Sequence, residues 1–381
     1  MITLNEIVRR FGSAYCAQYA DRMLPSHRVA LVALAACRTE LLGGHVYTCA
    51  TCVTTRYQYH SCKNRHCPTC QQDAAQTWLA RQQDQLLPVP SFMLTFTLPS
   101  ALRDLARSHQ RVLYRLLFRA SAAALQQLAH DPRFLGGQIG MLGVLQTWTR
   151  DLRFHPHIHY LVPAIGIAAD GAICRPRNPA FLVPVKPLAI LFRAKLRAAL
   201  RQTELYAHIA PSTWQQAWVV DCRPVGNGAA ALKYLAPYIF RVALSNNRIV
   251  SVQDEQVTFR YRDGESKQMR TCTLSALAFL QRFLQHVLPK RFVKVRRYGL
   301  FSRRQRAVLA HLQQQLARVT TSATVAPPPR AAIPARVTPP VVNCPVCGQP
   351  MQPTRIARAC SRGPPPWHRC TELVTQRVSS D

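Results

Sequence analysis

The chain has 381 residues, is 48% hydrophobic, and carries 49 Lys and Arg against 17 Asp and Glu, a formal charge of +32. That length leaves room for two or three domains around at least one large core. Self-repulsion of this size is hard to sustain without a polyanion at the surface, and the excess of arginine over lysine suits bidentate phosphate contacts, so nucleic acid is the expected partner.

No apolar run approaches the roughly 20 residues needed to span a bilayer, and the first residues are too polar for a signal peptide. The expectation is a cytoplasmic, nucleoid-associated protein with no membrane partner. Fourteen cysteines in a reducing compartment then point to metal rather than to disulfides.

Residues 1–88 read as an N-terminal zinc-binding, DNA-contacting domain. Cys49-x2-Cys52 followed by Cys67-x2-Cys70 can supply two thiolate pairs to one tetrahedral Zn2+. Cys62, His66, His60, His45 and Cys37 lie close by and can replace a ligand or form a second site. Lys63 and Arg65 among them suggest DNA contact.

Residues 89–318 mix both hydrophobic periods. Residues 92–98 (FMLTFTL) read as a strand, and 101–128 as a helix with arginines on one face. Residues 141–149 and 154–162 look like two strands joined by a short turn. Residues 187–205 read as a helix, 218–222 as a short strand, and 229–244 as a helix. Strands next to one another give an α+β class with a largely antiparallel sheet.

The strand at 154–162 places His155, His157 and His159 on one face, with Ile158, Tyr160 and Val162 on the other. Two same-face imidazoles can hold one divalent ion and leave coordination sites open. His155 and Gln146, on the preceding strand, are alternatives for a third ligand. Phosphate-directed chemistry points to Mg2+ or Mn2+ as that ion.

Tyr234 and Tyr238 stand four residues apart on one helical face. A phenol with a pKa of about 10 is a weak nucleophile unless a base or cation assists it, and Lys233, Arg241 and a nearby ion can do so. Pro237 should loosen the helix between the two rings. Trp148, Tyr160 and Phe240 are candidate stacking platforms for single-stranded bases. Residues 319–343 are rich in Pro, Ala and Thr and read as an extended linker. Beyond it, 344–381 carries Cys344, Cys347, Cys360 and Cys370, a possible zinc ribbon tail.

Together these motifs resemble the rolling-circle transposases of the insertion sequence ninety-one family, in the two-tyrosine HUH endonuclease superfamily. The resemblance spans nearly residues 10–305. It rests on CKNRHCPTCQ at 62–71, HPHIH at 155–159 with Val162 and Pro163, KYLAPYIFRVALSNNRI at 233–249, and HVLPKRFVKVRRYG at 286–299. The chain departs from the family at Ala164-Ile165-Gly166 and at Arg291, where glycines are usual. The resemblance implies an HUH nuclease domain with a central antiparallel sheet flanked by helices. It implies His157 and His159 as metal ligands and Tyr234 and Tyr238 as nucleophiles. It further implies a 5′-phosphotyrosine intermediate on single-stranded DNA at transposon ends and target. Lys233, Arg241, Arg248, Lys290 and Arg296 in these blocks are expected DNA contacts. No GxxxxGK[ST] loop occurs, so unwinding would fall to a host helicase. The competing readings are a replication initiator or relaxase, and a non-catalytic or decayed zinc-containing DNA-binding protein.

Overall fold

The Thr3 side chain accepts from the Glu6 N–H while the Glu6 carboxylate accepts from the Thr3 N–H, and this reciprocal cap starts α1 (Leu4–Tyr19). Pro25 opens α2 (Pro25–Ala36), where a missing N–H costs nothing. The pair β1 (Gly44–Thr48) and β2 (Thr55–Tyr59) and helix α3 (Gln72–Gln83) follow. Next come β3 (Ser91–Thr97), α4 (Arg103–Ser108) and α5 (Gln110–Ala129). The helical spacing expected over 101–128 is therefore interrupted at His109, whose φ of −119° and ψ of 45° leave the helical region. Side-chain periodicity carries no sign of that break.

The chain continues through β4 (Gln138–Trp148), β5 (Phe154–Pro163), β6 (Gly166–Ile167), β7 (Ile173–Cys174), α6 (Val185–Arg201), β8 (Val220–Pro224) and α7 (Ala229–Phe240). A meander of β9 (Ile249–Gln253), β10 (Gln256–Arg262) and β11 (Met269–Ser275) leads into α8 (Ala276–Leu284), β12 (Val295–Gly299), α9 (Arg306–Thr321) and β13 (Gln352–Ile356). This computed structural model describes residues 2–240, 243–321 and 341–356.

The main sheet runs β7-β6-β4-β5-β3-β8, with β12 alongside β6 on the outer edge of β4. Its pairings are antiparallel, so the expected α+β class with an antiparallel sheet flanked by helices is found. The histidine strand, β5, is central and hydrogen-bonded on both edges. Its Ile158, Tyr160 and Val162 face a core that includes Leu113 and Phe118 of α5 and Leu188 and Phe192 of α6. The Tyr160 hydroxyl finds a buried partner in Ser121 at 2.8 Å, as a phenol in a core requires. On the opposite face Met93, Leu142, Val144 and Leu161 pack against Ala231, Leu232 and Leu235, which seats α7 over the same side of the sheet as the histidines.

A second core gathers α1, α2, α8 and the meander around Phe259, Phe279 and Trp148. Strand β13 pairs antiparallel with β1, from Gly44 opposite Ile356 to Thr48 opposite Gln352, making a sheet of order β13-β1-β2. The described part of the expected zinc ribbon tail at 344–381 completes the N-terminal sheet, because β1 offers an open hydrogen-bonding edge. Most of the expected linker, with Cys360 and Cys370, lies outside the described residues. No helix among the described residues is long and apolar enough to cross a membrane.

Candidate functional site

Antiparallel register sets His157 directly across from Gln146 of β4 and Thr97 of β3, and His159 across from Val144 and Thr95. The His157 and His159 rings are 4.8 Å apart, and His155 lies 5.2 Å from His157. Nδ1 of His157 is 2.6 Å from the His155 carbonyl, which only accepts, so that nitrogen carries the proton and Nε2 keeps its lone pair. Nδ1 of His159 meets the Thr95 hydroxyl at 3.0 Å, an orienting contact of the kind metal-binding imidazoles need. Burial holds His157 well below the ordinary imidazole range. It likewise pushes His159 down to about 4, with Arg223 adding to the effect. Both rings are therefore neutral near pH 7, the form that binds a cation.

The two alternatives for a third ligand are in different states. A guanidinium nitrogen of Arg103 donates to Nδ1 of His155 at 2.7 Å, so the lone pair on that nitrogen is occupied. Gln146 donates through Nε2 to the Trp148 carbonyl at 3.3 Å, while its buried Oε1 has no hydrogen-bond partner. A buried unpaired carbonyl oxygen is costly unless something fills its lone pairs. Opposite His157 in the β4–β5 register, that oxygen is of the hard kind that suits a divalent cation.

Helix α7 is aimed at this face by the turn that precedes it. Val225 donates to the Ser91 carbonyl at 2.8 Å and Ser91 donates to the Gly226 carbonyl at 2.6 Å, tying the turn to the start of β3. Gly228 has φ +81°, and a Cβ there would press on Ser91 and Leu161, so the close approach of helix and sheet needs a glycine. The Tyr234 ring then lies 6.2 Å from the His159 ring, nearly perpendicular to it. Tyr234, Gln146, His155 and His157 line one cavity of about 680 Å³. Lys233 is exposed beside it. Tyr238 lies four residues further along α7, but its side chain, like Arg241, falls outside the described residues.

Sequence reasoning missed several walls of this cavity. Arg103 comes from the helix before the break at His109, Arg150 and Arg153 from the β4–β5 turn, and Tyr261, Asp263 and Glu265 from the β10–β11 hairpin. Only the density of arginine hinted at the first three. Conversely, Trp148 and Tyr160 are buried, at 4% and 0% exposure, which corrects their reading as stacking platforms. The side chain of Phe240 lies outside the described residues.

The basic residues divide in the same way. Lys63 and Lys290 are exposed. Arg65 instead donates to the carbonyls of Phe292 and Pro289, at 2.6 and 3.1 Å. Arg248 donates to the carbonyls of Arg260 and Ala243, and to that of Arg150. Arg296 lies over the Phe118 ring at 4.4 Å. Of these three guanidiniums, only Arg248 reaches a residue of the cavity wall, through the Arg150 carbonyl.

The single four-cysteine site expected from Cys49, Cys52, Cys67 and Cys70 is corrected. Cys67 and Cys70 gather with Cys62 and Cys37, all four sulfurs within 4.8 Å of one another. Cys62 and Cys70 are 3.7 Å apart and Cys37 and Cys67 3.6 Å. Four sulfurs about 2.3 Å from a tetrahedral zinc lie roughly 3.8 Å from each other, so the cluster suits Zn2+. Asn5 and Gln71 amides approach the sulfurs of Cys67 and Cys70 at 3.6 and 3.9 Å, as outer partners of thiolates do. His66 is not a ligand, because its Nε2 accepts from the Leu288 N–H at 3.2 Å and its Nδ1 faces Asn64 at 3.1 Å. Cys49 and Cys52 meet Cys344 and Cys347 instead. The two C-x2-C pairs part because Cys67 and Cys70 lead into α3, whereas Cys49 and Cys52 sit in the β1–β2 turn.

Residues 140–308 match the family described as "Putative transposase", and residues 7–98 match that described as "Transposase zinc-binding domain". A "Putative transposase y4qJ" from Sinorhizobium fredii is 38% identical over 79% of this chain and 80% of its own length. The "Transposase for insertion sequence element IS801" from Pseudomonas savastanoi pv. phaseolicola is 29% identical over 71% of this chain and 68% of its own. No solved structure matches.

Proposed function

This chain belongs to the transposases of the insertion sequence ninety-one type, and from that premise we propose that it cuts and rejoins single-stranded DNA at transposon ends through a tyrosine nucleophile. The observation that carries the reading is the approach of the Tyr234 ring to 6.2 Å from the His159 ring, beside a cavity lined by Tyr234, His157 and Gln146.

His157, His159 and Gln146 would hold a divalent ion, Mg2+ or Mn2+, which when bound polarises the scissile phosphate. Arg103, Arg150 and Arg153 at the cavity wall orient the strand through its phosphates. The Tyr234 oxygen forms a bond to phosphorus and gives up its proton. The bond from phosphorus to the 3′ oxygen breaks, and that oxygen takes a proton. The products are a 5′-phosphotyrosine and a free 3′-hydroxyl, so rejoining needs no external energy source. Tyr238 serves a second transfer from the same helix, and a host helicase supplies the single strand.

The test is a covalent-trapping assay on denaturing gels, using single strands that carry the element's ends. A metal-dependent adduct is expected. It should be lost in the Tyr234→Phe/Tyr238→Phe double variant and in His157→Ala, and sharply reduced in Gln146→Ala. An adduct that survives the double substitution, or that ignores EDTA, would sink the proposal.

A further inference from the structure

Cys49 and Cys344 each open a turn with the same hydrogen bonds, although 295 positions separate them. The Cys49 N–H donates to the Thr54 carbonyl at 3.0 Å and the Val53 N–H returns to the Cys49 carbonyl at 3.0 Å. Likewise the Cys344 N–H donates to the Gln349 carbonyl at 2.8 Å and the Gly348 N–H returns to the Cys344 carbonyl at 2.9 Å. The residue after the second cysteine has positive φ in both, 58° at Val53 and 74° at Gly348. A valine holds that conformation only when its surroundings demand it.

The two turns face one another. Sulfur separations are 3.4 Å for Cys49 and Cys347, 3.3 Å for Cys52 and Cys344, and 3.7 Å for Cys52 and Cys347. These approach the roughly 3.8 Å edge of a tetrahedral zinc–thiolate site. Met351, Tyr47 and Val342 pack around the group, and β13 continues from it onto the edge of β1.

We propose that Cys49, Cys52, Cys344 and Cys347 bind one Zn2+ that clasps the C-terminal segment 341–356 onto the N-terminal domain. The site is composite, with two ligands from each end of the chain, and is separate from the cluster of Cys37, Cys62, Cys67 and Cys70. It excludes a self-contained tail site built from Cys344, Cys347, Cys360 and Cys370.

Zinc content of the purified full-length chain, measured by mass spectrometry of the metal, decides between these arrangements. Cys49→Ser/Cys52→Ser and Cys344→Ser/Cys347→Ser should each lose one ion per chain, and the four-fold variant should lose no more than that one. Cys360→Ser/Cys370→Ser should keep the full content. Loss of two ions in the four-fold variant, unchanged content in either pair, or loss in the Cys360 and Cys370 variant overturns the proposal. A second measurement does not depend on counting ions. A protease site placed within 322–340 of the full chain is cut, and the fragments are run on a sizing column. The tail should co-elute with the body in the otherwise unaltered chain and separate from it when Cys52→Ser is added. A tail that elutes alone from the unaltered body, or stays bound in the Cys52→Ser chain, overturns the clasp.

Discussion

Cys37, Cys62, Cys67 and Cys70 close on one another inside a core shared by α1, α2 and α8, whereas Cys49, Cys52, Cys344 and Cys347 meet at the rim of a three-stranded sheet with Cys347 exposed. The donors are identical, but the first cluster sits within a large core and the second within a small one. In the first, the ion's ligands are also packing groups, so ligation and folding of that core are one event. In the second, the proposed ligands would clasp the 341–356 segment to the β1–β2 turn, away from the larger cores. Cysteine spacing alone does not distinguish a weld from a joint; what encloses the sulfurs does.

The sharpest way to break this comparison is to remove one ligand from each side. Cys67→Ser should remove a large part of the folding free energy, on the order of 5 kcal/mol or more. Cys347→Ser should shift the main unfolding transition by less than about 1 kcal/mol. Urea melts of the two variants measure this, and similar losses would erase the distinction.

Acid should loosen the buried side first. His286 stacks edge-on against Trp148 in that core, and burial pushes its imidazole down to about 3. The folded chain keeps it neutral, while the unfolded chain takes up a proton below its ordinary value of 6.5. Its contribution is therefore complete above pH 6.5 and is lost as pH falls from there toward 3, by up to about 1.4 kcal/mol per pH unit. Melts between pH 7 and 5 should show a shallower slope in His286→Gln; equal slopes would refute the assignment.

A smaller effect tests the brace around the buried cluster. Asn5 donates to the Leu34 carbonyl at 2.7 Å and to Cys67, and accepts from the Thr69 hydroxyl at 2.6 Å. Asn5→Ala should cost about 1–3 kcal/mol by leaving those groups unpaired. An unchanged urea midpoint would mean that water replaces the amide. The smallest effect belongs to the rim. Val53 is 75% exposed at positive φ, so Val53→Gly gives up little packing and should stabilise its turn by up to about 1 kcal/mol. Gly348→Val, with open space for a side chain but the same backbone requirement, should do the reverse. Zinc release to a chromogenic chelator would register both, and changes of the same sign would contradict the backbone argument.

Much of the histidine side was legible because its information is local. Two-residue alternation puts His157 and His159 on one face and Ile158 and Tyr160 on the other, and both faces are filled as that pattern requires. The four-residue spacing of Tyr234 and Tyr238 likewise predicts their shared helix. What escaped depends on tertiary choices. The two C-x2-C motifs at 49–52 and 67–70 are equivalent as text, and their partners are decided by where β1 and α3 lead the chain. The strands at 249–275 alternate only weakly and went unread, although their hairpin brings Tyr261 and Asp263 to the cavity. The backbone contacts of the arginines escaped for a physical reason. A guanidinium that serves a phosphate serves a backbone carbonyl equally well, as Arg65 and Arg248 do.

The central position of β5 sets a timescale as well as a geometry. Its amides are shared between β3 and β4, so no edge of it can fray while the sheet stands. Hydrogen exchange at His157 and His159 should therefore proceed only through opening of the whole sheet and fall among the slowest in the chain. A scissile strand would meet imidazoles already at rest, and the motion needed to reach them would have to come from the helix opposite or from the DNA.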